Sequence, residues 1–485
     1  MLRNTKVSHK SSEIFSVILP ISKSSMNLDH IKCLSMLFGA LCAVQTVYAS
    51  KLAAAFDNRV SSESRFRRIQ RFLAQMALDL DAVAGYLKSR IPFDGPYTLT
   101  MDRTNWKFGD VNINALVLGI AYDHMSFPIS FRLLPKRGNS NFKERINIME
   151  RLIRLFGRDS IKCLVADREF VGNEWFKWLN DNAIQYHIRI RDNFWVEDPK
   201  TGRKIRAQHI FASLKHGEER ILYRIYHVCG ELCYLAGAVI KDKTGKHEPQ
   251  ILVSFCRPEE AIADYKERWT IETMFKGLKS SGFNIEDTHM VHINRIEQLF
   301  GVVIIAYTWA YLVGIAANLK VKVIRTLNNG RRAISLVKYG LNFIADTLFL
   351  FNPFRPTKIN VFDFLSCTQK NFNSTLPTVH SRFQSVSPQQ TPSKPTARHH
   401  VAAEQEAQDF RPRSPGLDPF DTVALSRTHP QPSAPHPNRP MKRFKKKALN
   451  QHHKNHNNTT PSPSFHRPNK KPRKQHAPPN FQAED

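Results

Sequence analysis

Acidic residues are scarce in this chain: 42 Asp and Glu stand against 71 Lys and Arg over 485 residues, a formal net charge of +29. A surplus this large excludes an ordinary near-neutral surface and points to a polyanionic partner, most often nucleic acid. Residues 371–485 carry 18 basic and 7 acidic side chains, net +11, which leaves +18 on residues 1–370. The part able to fold is therefore itself basic. Neither G-x-G-x-x-G nor G-x-x-x-x-G-K-[ST] occurs, which argues against a dinucleotide enzyme or a P-loop ATPase. Cysteine is sparse and scattered (33, 42, 163, 229, 233, 256, 367), without the spacing of a disulfide framework. Cys229 and Cys233 stand four apart, but no second pair with zinc spacing follows, and the flanking alternation reads as two strands turning at Gly230–Glu231.

Two apolar runs need placing. Leu34–Ala49 resembles the core of a leader peptide but starts more than thirty residues in and continues in helical rhythm. Leu299–Leu319 has the length of a membrane span and no charge. Its Tyr307, Thr308, Trp309 and Tyr311 lie at the centre rather than at the ends, where interfacial aromatics belong, so a buried core helix is expected and no membrane partner.

Along the chain, residues 1–29 are polar and expected to be disordered. Residues 30–95 read as helical and basic; in SRFRRIQRFLA, Arg65, Arg68 and Arg71 recur at three-residue spacing, as a solvated face or a phosphate-contacting one would. From Pro96, YTLTMDRTNWKF, INALVLGIAYD and SFPISFRLLP read as an antiparallel meander. A helix (FKERINIMERLIRLFG), a buried strand (IKCLVADREF), a helix (NEWFKWLNDN) and a strand (IQYHIRIR) follow. Three strands, then helix, strand, helix, strand predicts an α/β fold, a ribonuclease-H-like mixed sheet with helices on both faces over 96–194. Residues 195–260 read as a β-rich insertion, 261–365 as further core helices, and 366–485 as a disordered, basic, low-complexity tail able to tether nucleic acid.

Two acids stand where acids are costly, Asp102 ending YTLTM and Asp167 ending IKCLVA. In the predicted fold their strands lie side by side, and paired like charges call for a cation. With oxygen ligands and no convergent His/Cys set, that cation is Mg²⁺ or Mn²⁺ rather than zinc. A third acid comes from YKERWTIETMFKGLKSSGFNIEDTH (265–289). No Pro or Gly interrupts Tyr265–Lys276. At about 100° per residue, Tyr265, Arg268, Glu272, Lys276 and Lys279 fall within roughly 80° of one another, beside an apolar stripe of Ile271, Met274, Phe275 and Leu278. Taken alone, this is equally a surface helix with Glu272 paired to Arg268 and Lys276.

The spacing Tyr265, Arg268, Glu272, Lys279 resembles the Tyr-x2-Arg-x3-Glu-x6-Lys signature of DDE transposases of bacterial insertion sequences. Four fixed residue types would match by chance roughly three times in a thousand chains of this length. DRTNW (102–106) and ADREF (166–170) resemble that family's first two acidic motifs, and the likeness covers about residues 30–320. It implies that Asp102, Asp167 and Glu272 hold two Mg²⁺ ions, for which Mn²⁺ substitutes, and catalyse cleavage at insertion-sequence ends and strand transfer. It further implies DNA contacts by Tyr265, Arg268 and Lys279, with Lys276 on the same face, and stacking or plain packing by Trp269. The implied partners are the element's inverted repeats and target DNA, bound by a homodimer on paired ends in the bacterial cytoplasm at the nucleoid. A nuclease of the same fold without strand transfer, or a non-catalytic DNA-binding relic, remains an alternative.

Overall fold

A computed structural model describes residues 26–56, 60–241, 245–280, 282–328, 330–349 and 359–366, together with 14, 16 and 18–21. The expected tail lies outside the described residues from 367 onward. One expectation fails at the other end: Ile14, Ile18 and Ile21 are buried, and the amide of Asp79 donates to the Ile21 carbonyl. Apolar side chains spaced at three and four residues gave this stretch a face to bury, whatever its flanking polarity.

The basic N-terminal region holds helices Leu28–Val44, Ala49–Ala54, Ser62–Gln75 and Leu80–Lys88. The meander is β1 (Tyr97–Phe108), β2 (Val111–Tyr122) and β3 (Met125–Leu134). Asp123 and His124 both take positive φ between β2 and β3, the geometry that matches the twist of a tight hairpin. Helix Phe142–Phe156 starts on a capping box, in which the Asn141 side chain and Glu144 satisfy each other's backbone amides. It leads to β4 (Ile161–Ala166), helix Asn173–Asp181 and β5 (Tyr186–Ile190).

The remaining strands are β6 (Trp195–Glu197), β7 (Lys204–Arg206), β8 (Glu219–Val228), β9 (Glu231–Lys241) and β10 (His247–Ser254). Cys229 and Gly230, both at positive φ, turn β8 into β9, so the Cys229–Cys233 spacing belongs to a hairpin. The β-rich segment forms no sheet of its own. β10 pairs antiparallel with β5, and all strands join one ten-stranded sheet in the order β3-β2-β1-β4-β5-β10-β9-β8-β6-β7. β1, β4 and β5 run parallel to one another at its centre.

Helix Ile293–Lys320 is long and apolar enough to cross a membrane by length and composition, yet every residue from Leu299 to Ala317 is buried inside the protein. Its core position follows from side chains buried all round, Trp309 stacking on Phe38 and Tyr311 meeting Phe127 edge-on. Helix Leu336–Phe349 crosses it at glycines: a Cβ on Gly340 would lie 1.8 Å from the Ala310 carbonyl oxygen, and one on Gly314 would lie 2.0 Å from that of Leu336.

Candidate active site

The strand ladder brings the first two acids together. Met101 of β1 pairs with Ala166 of β4 in parallel register, so Asp102 and Asp167 are the next residues on adjacent strands and leave the sheet on the same face. Each carboxylate accepts the amide of the residue after it, Arg103 at 2.7 Å and Arg168 at 2.8 Å. Burial pushes the Asp102 carboxyl up to about 7; the Arg103 amide and the Arg268 guanidinium oppose this, and Glu169 and Asp167 reinforce it.

The third acid arrives on a helical run in three pieces, Ala261–Tyr265, a tighter 3₁₀ turn Lys266–Arg268, and Trp269–Leu278. Ile271, Met274, Phe275 and Leu278 are buried, as their stripe predicts. The single polar face does not survive. Tyr265 is 2 % exposed and Arg268 6 %, Lys276 is open to solvent, and Lys279 lies past the helix end. The tight turn winds the first residues inward, and packing on the sheet covers them.

Arg268 is thus a cation inside the carboxylate cluster. Its Nη2 donates to Glu272 Oε1 at 2.7 Å, and its guanidinium lies 5.7 Å from the Tyr265 ring centroid and 5.2 Å from that of Trp269. Burial works against its charge, but Tyr265, Asp167 and Glu272 outweigh burial and raise its pKa. Burial also pushes the Tyr265 hydroxyl up. Trp269 is 54 % exposed, as a stacking surface would be. Lys279 Nζ pairs with Glu286 at 2.6 Å and reaches the Asn105 carbonyl at 3.5 Å, which ties it to the first acidic motif. On helix Ser62–Gln75, Arg68 and Arg71 are exposed, whereas Arg65 is partly buried and donates to the Phe56 carbonyl at 2.9 Å.

Sequence reasoning missed the scaffold that joins the two acidic motifs. Arg103 grips Glu169 twice, Nε to Oε1 at 3.0 Å and Nη2 to Oε2 at 2.9 Å, and also reaches Asn114 and Asn139. Buried Arg145 donates to the Glu169 carbonyl at 2.9 Å and to Ser140; burial pulls its pKa down to about 10, against the raising effect of Glu169 and Glu144. Arg168 and Arg189 both meet Glu248 of β10. The adjacency of charged residues in DRTNW and ADREF was a signal for such pairing, but it could not say which partner each would take.

A hard divalent cation fits Asp102 and Asp167. Both are carboxylates, they are neighbours, and the upward displacement of Asp102 comes first from burial, with Glu169 and Asp167 adding to it, so a cation bound there would favour the ionised form. Among the described residues, Asp102, Asp167 and Glu272 do not draw their oxygens within 4.8 Å of one another as a set of three. Cys163, His187 and Asp264 do so with their ligand atoms. The expectation of no convergent His/Cys set is therefore corrected: these three residues stand on separate elements, and only strand register brings them together.

A ten-stranded mixed sheet with paired acids on neighbouring central strands, one midway along β1 and one just past β4, and a helix carrying a third, defines an α/β domain of ribonuclease-H-like type. Residues 92–309 match the family described as Transposase DDE domain. The matched portion contains Asp102, Asp167 and Glu272. No curated protein matches the chain.

Proposed function

We propose that the protein cleaves DNA at the ends of an insertion sequence and joins the freed 3′ ends to target DNA. The observation that carries this reading is the placement of Asp102, midway along β1, beside Asp167, just past the end of β4, with the Arg268 guanidinium near both acids and bonded to Glu272. Asp102, Asp167 and Glu272 would hold two Mg²⁺ ions, with Mn²⁺ as a substitute. When bound, such ions lower the pKa of the attacking water or hydroxyl and stabilise the leaving oxygen.

The chain's own residues do the positioning. Arg268 holds Glu272 in place and offsets the negative charge of the acids. Lys276 and Lys279 contact phosphates beside the cleaved bond, where a mobile ammonium acts as a point charge. Trp269, exposed beside Arg268, stacks on a base of the element end. Arg68 and Arg71, with Arg65 bracing the helix to Phe56, bind the flanking duplex. The working assembly is a homodimer on two paired ends, acting in the bacterial cytoplasm at the nucleoid.

Incubation of the purified protein with a labelled element end and Mg²⁺ tests the reading. Cleavage is expected from the wild type and not from Glu272→Gln, with end binding preserved. A pre-cut end incubated with plasmid should yield joined products. Cleavage without joining would favour a nuclease, and DNA binding unaffected by EDTA with no cutting would favour a non-catalytic relic.

A further inference from the structure

The buried cluster of Cys163, His187 and Asp264 lies outside the carboxylate site. Val165 of β4 pairs with His187 of β5, and His187 pairs with Ser254 of β10. By the two-residue alternation of strands, Cys163, Val165 and His187 face the same side as Asp167. Helix Ala261–Tyr265 covers that side and brings in Asp264. Cys163 and His187 are fully buried and Asp264 is 8 % exposed. Cys163 Sγ lies 3.3 Å from Asp264 Oδ2, and His187 Nε2 lies 3.6 Å from the same oxygen.

We propose that Cys163, His187 and Asp264 form a zinc site of three protein ligands, separate from the carboxylate centre, that clamps the start of the Glu272 helical run to the central strands. A tetrahedral zinc with bonds of about 2.3 Å to sulfur and about 2.0 Å to nitrogen and oxygen requires sulfur–oxygen and nitrogen–oxygen edges of about 3.5 and 3.3 Å. The observed 3.3 and 3.6 Å are within a few tenths of an ångström of these.

The outer contacts are those a zinc site needs. His187 Nδ1 meets Ser254 Oγ at 2.5 Å; with Nδ1–H donating there, the Nε2 lone pair points into the cluster. Gln185 Nε2, at 3.3 Å from His187 Nε2, is the group a metal would displace. Lys162 Nζ occupies the other oxygen of Asp264 at 2.7 Å, which leaves Oδ2 for the ion, and Thr98 Oγ1 lies 3.8 Å from the Cys163 sulfur. A thiolate and an imidazole select zinc over Mg²⁺. Binding releases the Cys163 thiol proton to solvent, and thiolate plus carboxylate then balance the two charges of the ion, with water as fourth ligand. Cys163 precedes Asp167 by four residues and His187 is level with Val165, two residues before it, so the site lies about 7–13 Å along the strands from the paired acids. Asp264 precedes Glu272 by eight residues of helical chain, so the clamp fixes the base of the segment that delivers the third acid.

Metal analysis of the full-length protein tests this without any cleavage assay. One zinc per chain is expected, and the Co²⁺-exchanged protein should show a sulfur-to-cobalt charge-transfer band in the near ultraviolet. The band should vanish in Cys163→Ser and persist in the combined Asp102→Asn, Asp167→Asn, Glu272→Gln variant. Should Cys163→Ser not fold, Asp264→Asn retains the thiol and is expected to bind zinc at least ten-fold more weakly in competition with a chromophoric chelator. A wild-type protein that binds no zinc in that competition, a band that survives Cys163→Ser, or unchanged zinc affinity in Asp264→Asn overturns the proposal.

Discussion

Arg268 Nη2 lies 2.7 Å from Glu272 Oε1, one helical turn away, with the Arg268 side chain 8 % exposed and that of Glu272 36 %. Removing a buried member of an ion pair leaves its partners uncompensated, and here the partners include Asp102 and Asp167 as well. Arg268→Met is expected to destabilise the protein by about 2 kcal/mol in urea unfolding at neutral pH, with part of the loss recovered in millimolar Mg²⁺. An unchanged urea midpoint would show that the guanidinium does not offset the acids.

The two hydrogen bonds that Arg103 donates to Glu169 join the first acidic motif to the second. Glu169→Gln keeps the shape and one acceptor but loses the charge-assisted pair, for an expected cost of about 1–3 kcal/mol. A double-mutant cycle with Arg103→Met should return a coupling energy of similar size; additive single effects would refute the link.

Asp81 ties helix Leu80–Lys88 to helix Phe142–Phe156 through Arg151 at 2.7 Å and Arg154 at 2.8 Å. Burial alone would raise its pKa, but the two guanidinium groups outweigh it and hold it below the usual carboxylate range. A depressed pKa stabilises the fold above the unfolded value of about 4 and loses that contribution as pH falls through the folded value. Asp81→Asn should therefore lower Tm at pH 7 and make little difference at pH 2.5. Discounted for partial exposure, the effect at pH 7 is under about 1 kcal/mol. Equal shifts at both pH values would contradict the assignment.

Glycine substitutions should split in sign. A methyl on Gly314 or Gly340 meets a backbone carbonyl at 2.0 or 1.8 Å, and backbone cannot rotate away as a side chain can. Each Gly→Ala there is expected to cost about 3 kcal/mol or more or to prevent folding. Gly85, exposed within its helix, would meet nothing within 4 Å, so Gly85→Ala should stabilise by about 0.5–1 kcal/mol. Thermal melts of the three variants separate these outcomes.

Much of the architecture was legible in the residues alone. Alternation over 97–134 marked the meander, the order of strands and helices predicted a mixed sheet with helices on its faces, and the acids following YTLTM and IKCLVA were expected to be neighbours, as the ladder has them. The four-residue signature singled out Glu272 as the third acid to propose. These features are local: each depends on the period of one element or on spacing within one segment.

What tertiary structure decided depends on which element lies opposite which. A helical wheel placed Tyr265 and Arg268 on an open face with Glu272, but the 3₁₀ turn and the sheet beneath bury both. The apparent insertion became half of a continuous sheet through the pairing of β10 with β5. Cys163, His187 and Asp264 are far apart in sequence with no motif spacing, and they converge because two strands fall into register and a helix crosses them. Periodicity states which side of its own element a residue occupies; the neighbour across the gap is chosen by the packing of the whole chain.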